Sequence, residues 1–192
     1  MKKTIILASS SPRRIEMMHK HGYNPTIMPA DIDETLPKNI SAKDAVMFLA
    51  LKKALYVEQK AAPGSIIIAA DTVVYKDGIL GKPENRSDAA RMLRKIKNTS
   101  HQVATGVAIL IAGESTRNVC YDITEVFCKD FNDDELSAYL DTDEPYDKAG
   151  AYAIQGIFAK HIDHWNGSFD TVVGFPWELI ELKLKELLTS EN

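Results

Sequence analysis

The stretch Ser65-Ile66-Ile67-Ile68-Ala69-Ala70-Asp71-Thr72-Val73-Val74 constrains this chain more than any other. Its apolar residues run on without polar alternation. A strand with one wet face would alternate, so residues 65–74 read as a strand buried on both faces, the central strand of a sheet. A carboxylate, Asp71, interrupts that run.

The rest of the chain supplies partners for such a strand. Residues 4–8 read as a short apolar strand that ends in Ser9-Ser10-Ser11, with Pro12 opening a helix over 12–21. Serine at the cap and proline at the first helical position form a start signal, and Gly22 stops the helix. A second strand is expected over 25–29, an acidic loop over 30–38, and a helix capped by Ser41 that runs to about residue 59. Ala61-Ala62-Pro63-Gly64 is a connection, and Lys76-Asp77-Gly78 reads as a hairpin turn. Ser87 is expected to cap a helix with Ala89, Met92, Leu93 and Ile96 inward. Residues 101–112 and 117–129 read as long strands joined near Gly113-Glu114-Ser115. Asn132 is expected to cap a short helix with Asp133, Asp134 and Glu135 in its first turn, where the helix dipole favours acids. Residues 143–156 give no firm assignment. A strand is expected over 157–164, ending at Asn166-Gly167. The last helix starts near Pro176 with Trp177, Ile180, Leu184, Leu187 and Leu188 inward. Early alternation of helix and strand followed by longer paired strands argues for an α/β fold with a mixed sheet. No repeat or low-complexity segment interrupts the 192 residues, which suit one domain.

Composition narrows function by exclusion. Hydrophobic residues at 45% and charged residues at 26% are an ordinary globular balance, so disorder is not expected. A formal charge of −4 gives no general affinity for a nucleic-acid polymer. The two cysteines, Cys120 and Cys128, form no CxxC and read as buried reduced thiols. Lys2 and Lys3 precede an apolar run too short for a signal peptide, and no stretch is long and apolar enough to span a membrane. The expected location is therefore cytoplasmic, and three Asn-x-Ser/Thr matches (at Asn39, Asn98 and Asn166) are taken as chance. His19, His21, His101, His161 and His164 show no zinc spacing and read as non-catalytic. There is no G-x-S-x-G, no G-x-G-x-x-G and no Walker A loop.

Four places can carry chemistry. Ser9-Ser10-Ser11-Pro12-Arg13-Arg14 puts hydroxyls and two arginines where a strand enters a helix N-terminus, a setting that favours an anion. The same residues also suit an ordinary Ser-capped helix with two solvated arginines. Asp71, at the end of an apolar run, suits metal binding or base catalysis, or else a loop hydrogen bond. The acidic loop Asp31-Ile32-Asp33-Glu34 offers oxygens to a hard cation, or is a solvated turn. Lys53 continues the stripe Ala42, Val46, Leu49 on the helix from Ser41, whereas Lys52 lies off it. An inward lysine snorkels to an edge or enters a polar pocket. Lys82, followed by Pro83, is a similar candidate.

Taken together, these segments resemble the Maf family of nucleotide pyrophosphatases, and the resemblance covers nearly the whole chain. Its carriers are Ser9-Ser10-Ser11-Pro12-Arg13-Arg14, Asp33-Glu34, Ala70-Asp71-Thr72-Val73-Val74 and Gly81-Lys82-Pro83, then Asp147-Lys148-Ala149-Gly150-Ala151-Tyr152, Ile154-Gln155-Gly156 and Val172-Val173-Gly174-Phe175-Pro176. The resemblance implies one Maf-like domain over 1–192. It implies an elongated, curved mixed sheet with flanking helices and two lobes around a cleft, similar to the inosine triphosphatase (Ham1) group. It implies hydrolysis between the α and β phosphates, with Asp71 activating water and Glu34 and Asp71 holding Mg²⁺ or Mn²⁺. Ser9, Arg13, Arg14, Lys53 and Lys82 would line the phosphate path. Arg13, Thr72 and Gln155 resemble the branch acting on dTTP and UTP, for which a glutamine amide complements a ring bearing carbonyls and an N–H. Resemblance also implies a homodimer. Two other functions fit the same residues: a nucleotide-binding regulator of cell division and septum formation with secondary hydrolysis, and a pyrophosphatase that removes modified pyrimidine nucleotides.

Overall fold

The structure, a computed structural model, describes residues 3–189. Among the described residues seven strands form one mixed sheet. These are β1 (Ile5–Leu7), β2 (Thr26–Ile27), β3 (Ile66–Tyr75), β4 (Ile79–Leu80), β5 (Ser100–Ile111), β6 (Arg117–Cys128) and β7 (Ile162–Asn166). Their order is β2-β1-β3-β5-β6-β7, with β4 paired to β3. The helices are α1 (Pro12–Lys20), α2 (Ala42–Glu58), α3 (Arg86–Ile96), α4 (Asp133–Leu140), α5 (Phe169–Val173) and α6 (Trp177–Thr189). This is the mixed α/β fold that the sequence implies. No helix among the described residues is long and apolar enough to cross a membrane.

β3 is central, as its apolar run requires. Ile66, Ile67, Ile68, Ala69 and Ala70 are fully buried. β1 lies parallel to it, with Ile5, Ile6 and Leu7 opposite Ile66, Ile67 and Ile68, and β2 lies parallel to β1. The Asp77-Gly78 turn, at positive φ, folds β4 back antiparallel onto β3.

The chain falls into two compact units. One takes the chain as far as Asp71, then Thr105–Asp122 and everything from Gly174. Its core joins Ile6, Ile67, Ala69, Ala108 and Leu110 of the sheet to Ala50, Ala54 and Val57 of α2. Small residues let helix and sheet come close, and Gly106 takes this furthest. A Cβ added there would stand 2.4 Å from the carbonyl carbon and oxygen of Val46, so the backbone of α2 rests directly on β5. Ser41 caps α2 by accepting from Asp44 N–H at 3.2 Å.

The other unit is Thr72–Ala104 with Ile123–Val173. Its interior is aromatic: Phe158 is 1% exposed, with Phe131, Tyr139 and Tyr152 ring centres 5.0–5.7 Å away. Asn132 caps α4 as expected, and Glu135 completes a reciprocal capping box with it.

Several expectations need correction. Asn85, not Ser87, caps α3, accepting from Asp88 N–H at 3.0 Å, and the helix starts at Arg86. Residues 157–161 are a 3-10 helix rather than strand, and β7 begins only at Ile162. The backbone N–H groups of Ile157 and Phe158 go to the carboxylate of Glu144, which draws the apolar run out of extended conformation. The unassigned stretch holds 3-10 turns at Glu144–Asp147 and Ala149–Ala151. In α6, Leu188 is 37% exposed while Ile180 and Leu184 are fully buried and Leu187 is buried, because the inward stripe runs through 180, 184 and 187 and leaves 188 at its edge. Of the two thiols, Cys128 is buried and Cys120 only partly so, and both are free.

Candidate functional site

Asp71 follows the fully buried run Ile66–Ala70 of β3 and is 7% exposed. A carboxylate buried there needs a hydrogen-bonding or charged partner. Lys53 supplies it: its Nζ lies 2.5 Å from Asp71 Oδ1 and 2.7 Å from Glu34 Oε1. The helical stripe that puts Lys53 inward therefore ends in a polar site. One ammonium serves two carboxylates, one buried and one half exposed. Burial pushes the Asp71 carboxyl above its ordinary value, Lys53 and Arg14 oppose that, and the charge of Glu34 adds to it.

The acidic loop is built to present Glu34. Asp33 Oδ1 accepts from the N–H of Thr35 at 2.9 Å and from its hydroxyl at 2.6 Å, which closes a tight local turn. These bonds hold the Asp33 carboxyl below its ordinary value. Lys52, off the stripe, donates to the Asp33 carbonyl. Adjacent lysines thus hold this loop by different atoms. The role of Lys52 was not visible in periodicity, which scored it as outward.

The serine-arginine segment also reaches Asp71. Ser11 occupies the N-cap of α1 but its side chain makes no capping bond. Ser9, which is buried, accepts the Ser11 N–H at 3.2 Å instead. Arg14 donates through Nε to the Gly174 carbonyl at 2.9 Å and through Nη1 to the Ala70 carbonyl at 2.7 Å, with Ser9 Oγ at 3.4 Å. It ties the start of α1, the residue before Asp71 and the entry to α6 into one frame. Burial lowers the pKa of Arg14, and the nearby charge of Asp71 works against that. Gly174, at φ 99, is in the left-handed region that favours glycine, which explains its place in the Val172–Pro176 motif.

The structure therefore brings Ser9, Arg14, Glu34, Lys53 and Asp71 together in the first unit, with Arg13 beside Arg14 in α1. Thr72, Lys82 and Gln155 belong to the second. Thr72 follows Asp71 directly and is half-buried, while Lys82 and Gln155 are exposed. Within that unit the Asp147–Tyr152 segment adjoins that of Lys82, since Gly150 N–H donates to the Gly81 carbonyl at 3.0 Å. Gly150 has φ 69, and a Cβ there would come within 2.8 Å of Val74. The histidines lie apart from this chemistry. His101 is buried with Nε2 2.6 Å from the Tyr152 hydroxyl, and burial pushes its pKa down to about 4.

The carboxylates also bear on metal binding. Among the described residues no three His, Cys, Asp or Glu side chains are grouped to hold an ion. Asp71 and Glu34 are nonetheless drawn to one positive centre. Two carboxylates without a third protein ligand suit a hard divalent cation that completes its shell with water and substrate phosphate. They do not suit zinc or a closed protein cage.

Residues 4–187 match the family described as Maf-like protein. This chain belongs to the Maf family. Among its relatives, a dTTP/UTP pyrophosphatase of Caldicellulosiruptor bescii is 43% identical over 96% of this chain and 95% of its own length. A protein of the same name from Acetivibrio thermocellus is 40% identical over 95% of this chain and 94% of its own. Among solved structures, the Ham1 protein of Staphylococcus aureus covers 96% of this chain and 99% of its own with a TM-score of 0.50 and 14% identity, a likeness of fold.

Proposed function

We propose that this protein is a nucleoside triphosphate pyrophosphatase that converts dTTP and UTP to the monophosphate and pyrophosphate, with Asp71 as the proton acceptor for the attacking water. The observation that carries the reading is the buried Asp71 carboxylate held by Lys53 beside Glu34 and Arg14. Its support is membership of the Maf family and full-length similarity to relatives named for that activity.

Burial makes Asp71 a stronger base than an exposed carboxylate, and Lys53 fixes the oxygen it grips. Proton removal from water as it attacks the α-phosphate asks for both properties. Asp71 and Glu34 would hold Mg²⁺ or Mn²⁺. The chemistry that such a cation supplies is neutralisation of charge on the phosphates and on departing pyrophosphate. Ser9, Arg13 and Arg14 place donors and positive charge at the start of α1, where a phosphate is favoured. Lys82 joins the phosphate path, and Arg13, Thr72 and Gln155 select the base, on the strength of motif resemblance. We take residues 1–192 as one Maf-like domain, forming a homodimer in the cytoplasm. Light scattering that returned a monomer mass at micromolar concentration would remove the dimer.

The deciding experiment incubates the purified chain with each common nucleoside triphosphate in Mg²⁺ and in Mn²⁺ and quantifies monophosphate and pyrophosphate. Pyrophosphate from dTTP and UTP, with little from ATP or GTP, is the expected result. No pyrophosphate under either metal withdraws the catalytic role of Asp71 and returns the protein to the class of nucleotide-binding regulators.

A further inference from the structure

Gln155 lies in a segment fastened at both ends, and one side chain does most of the fastening. Glu144 opens the 3-10 turn Glu144–Asp147. Its Oε2 accepts the Ile157 N–H at 2.7 Å, and its Oε1 accepts the Phe158 N–H at 3.2 Å. Those N–H groups begin the 3-10 helix Ile157–His161 and have no partner within it. The carboxylate thus closes a ring over the intervening residues, which include Gln155.

Two further observations show that the closure is built. The first is Gly156, whose missing side chain makes room: a Cβ there would stand 2.0 Å from Glu144 Oε2. A side chain at this position would have to push the Glu144 carboxylate out of its place. The second is Tyr139, whose hydroxyl shares its proton between Glu144 Oε1 at 3.0 Å and the Ala151 carbonyl at 3.2 Å. Burial and the charge of Glu144 raise the pKa of that phenol, so it remains a donor. Ala151 has φ 63, a conformation that a residue with a side chain holds only when its neighbours impose it. Tyr152, next along, is held by His101.

We propose that Glu144, accommodated by Gly156, is a positioning residue that sets base selectivity by fixing the segment that carries Gln155. This rests on the reading above in which Gln155 meets the base. An amide distinguishes ring carbonyls from ring amines only if the backbone beneath it is fixed. A displacement of about 1 Å removes that discrimination.

The test measures kcat/KM for UTP and for CTP, whose ring carries an amine where uracil carries a carbonyl, in Mg²⁺. The proteins are the parent, Glu144→Ala, Glu144→Gln, Gly156→Ala, Gln155→Ala and the Glu144→Ala/Gln155→Ala pair. Glu144→Ala and Gly156→Ala should each lower the UTP:CTP ratio by about tenfold or more. Glu144→Gln keeps one acceptor oxygen and should restore part of the ratio. The pair should select no worse than Gln155→Ala alone. A parental ratio in folded Glu144→Ala, with a lowered ratio in Gln155→Ala, overturns the role of Glu144 and leaves that of Gln155 standing. Multiplying effects in the pair overturn it too, since Glu144 would then act elsewhere. An unchanged ratio in Gln155→Ala sinks the base-recognition reading, and this proposal with it. If Glu144→Ala does not fold, Glu144→Gln and Gly156→Ala decide between the same outcomes.

Discussion

Asp71 and Glu144 are both carboxylates drawn into the protein, and their surroundings differ in kind. Asp71 lies buried within a sheet strand and meets side-chain charge: Lys53 in contact, with Arg14 and Glu34 close enough to shift its titration. Glu144 meets two backbone N–H groups and a phenol, three neutral donors at fixed positions. Mobile charges around a group can be rearranged by a ligand of opposite sign, whereas backbone donors cannot leave. The first arrangement leaves a carboxylate available for chemistry. The second commits its carboxylate to shape.

That contrast is open to direct attack, most strongly through Asp71→Asn. Loss of a general base should lower turnover by about 10²- to 10⁴-fold. Stability should hold or rise, for a reason with a definite sign. A folded-state pKa above the unfolded one gives a contribution that is full below the ordinary aspartate value and is lost as pH rises through the folded value. At neutral pH the ionised group therefore burdens the fold, and the amide relieves it. Glu144→Ala should do the reverse, losing about 1–2 kcal/mol in urea titration as its donors go unpaired while turnover survives. Equal stability losses in the two variants would erase the distinction.

Gly106→Ala comes next and tests whether the first region needs its frame. A methyl group driven into the backbone of α2 should cost about 3 kcal/mol in the same titration. A loss under ~1 kcal/mol would mean that α2 has room to shift. A smaller effect is expected in the titration of Asp71 itself. In the metal-free chain an NMR titration of the Asp71 carboxyl should give a midpoint above the ordinary aspartate value near 4. A midpoint at or below that value would argue that burial does not dominate its surroundings. Smallest of all, Leu188→Ser on the outer side of α6 should change stability by less than about 0.5 kcal/mol. A larger loss would show that the sequence reading was right to place Leu188 inward.

Much of the first region was legible because its signals are local or periodic. The unbroken apolar run marks β3 as central, and helical spacing brings Lys53 inward. The strand-Ser-Pro-Arg-Arg series places Arg14 at a helix start. Legibility failed where a distant atom decides. Residues 157–161 look extended by composition, and only the Glu144 carboxylate, thirteen positions upstream, makes them helical. Asn85 and Ser87 are both good caps, and the choice falls to Asn85, which accepts the Asp88 N–H three residues on. The carbonyls of Ala70 and Gly174 that hold Arg14 carry no side-chain signature. Gly106 left a faint one, a glycine inside an otherwise apolar strand, which marks close backbone approach.

The seat of α2 on Gly106 acts as a datum for Lys53. Val46, the residue that touches the glycine, and Lys53 are seven positions apart, which is about two helical turns and ~10 Å along the axis. Height and bearing of the ammonium are therefore dictated from a point that never touches it. Inserting one residue between them would swing Lys53 by about 100° around the helix and strand Asp71 without its cation. Inserting seven would restore the bearing and overshoot the height. The spacing from 46 to 53 is in this sense a length standard cut into the chain, and tolerance for insertions should vanish there while the loops on either side of α2 remain free to drift in length.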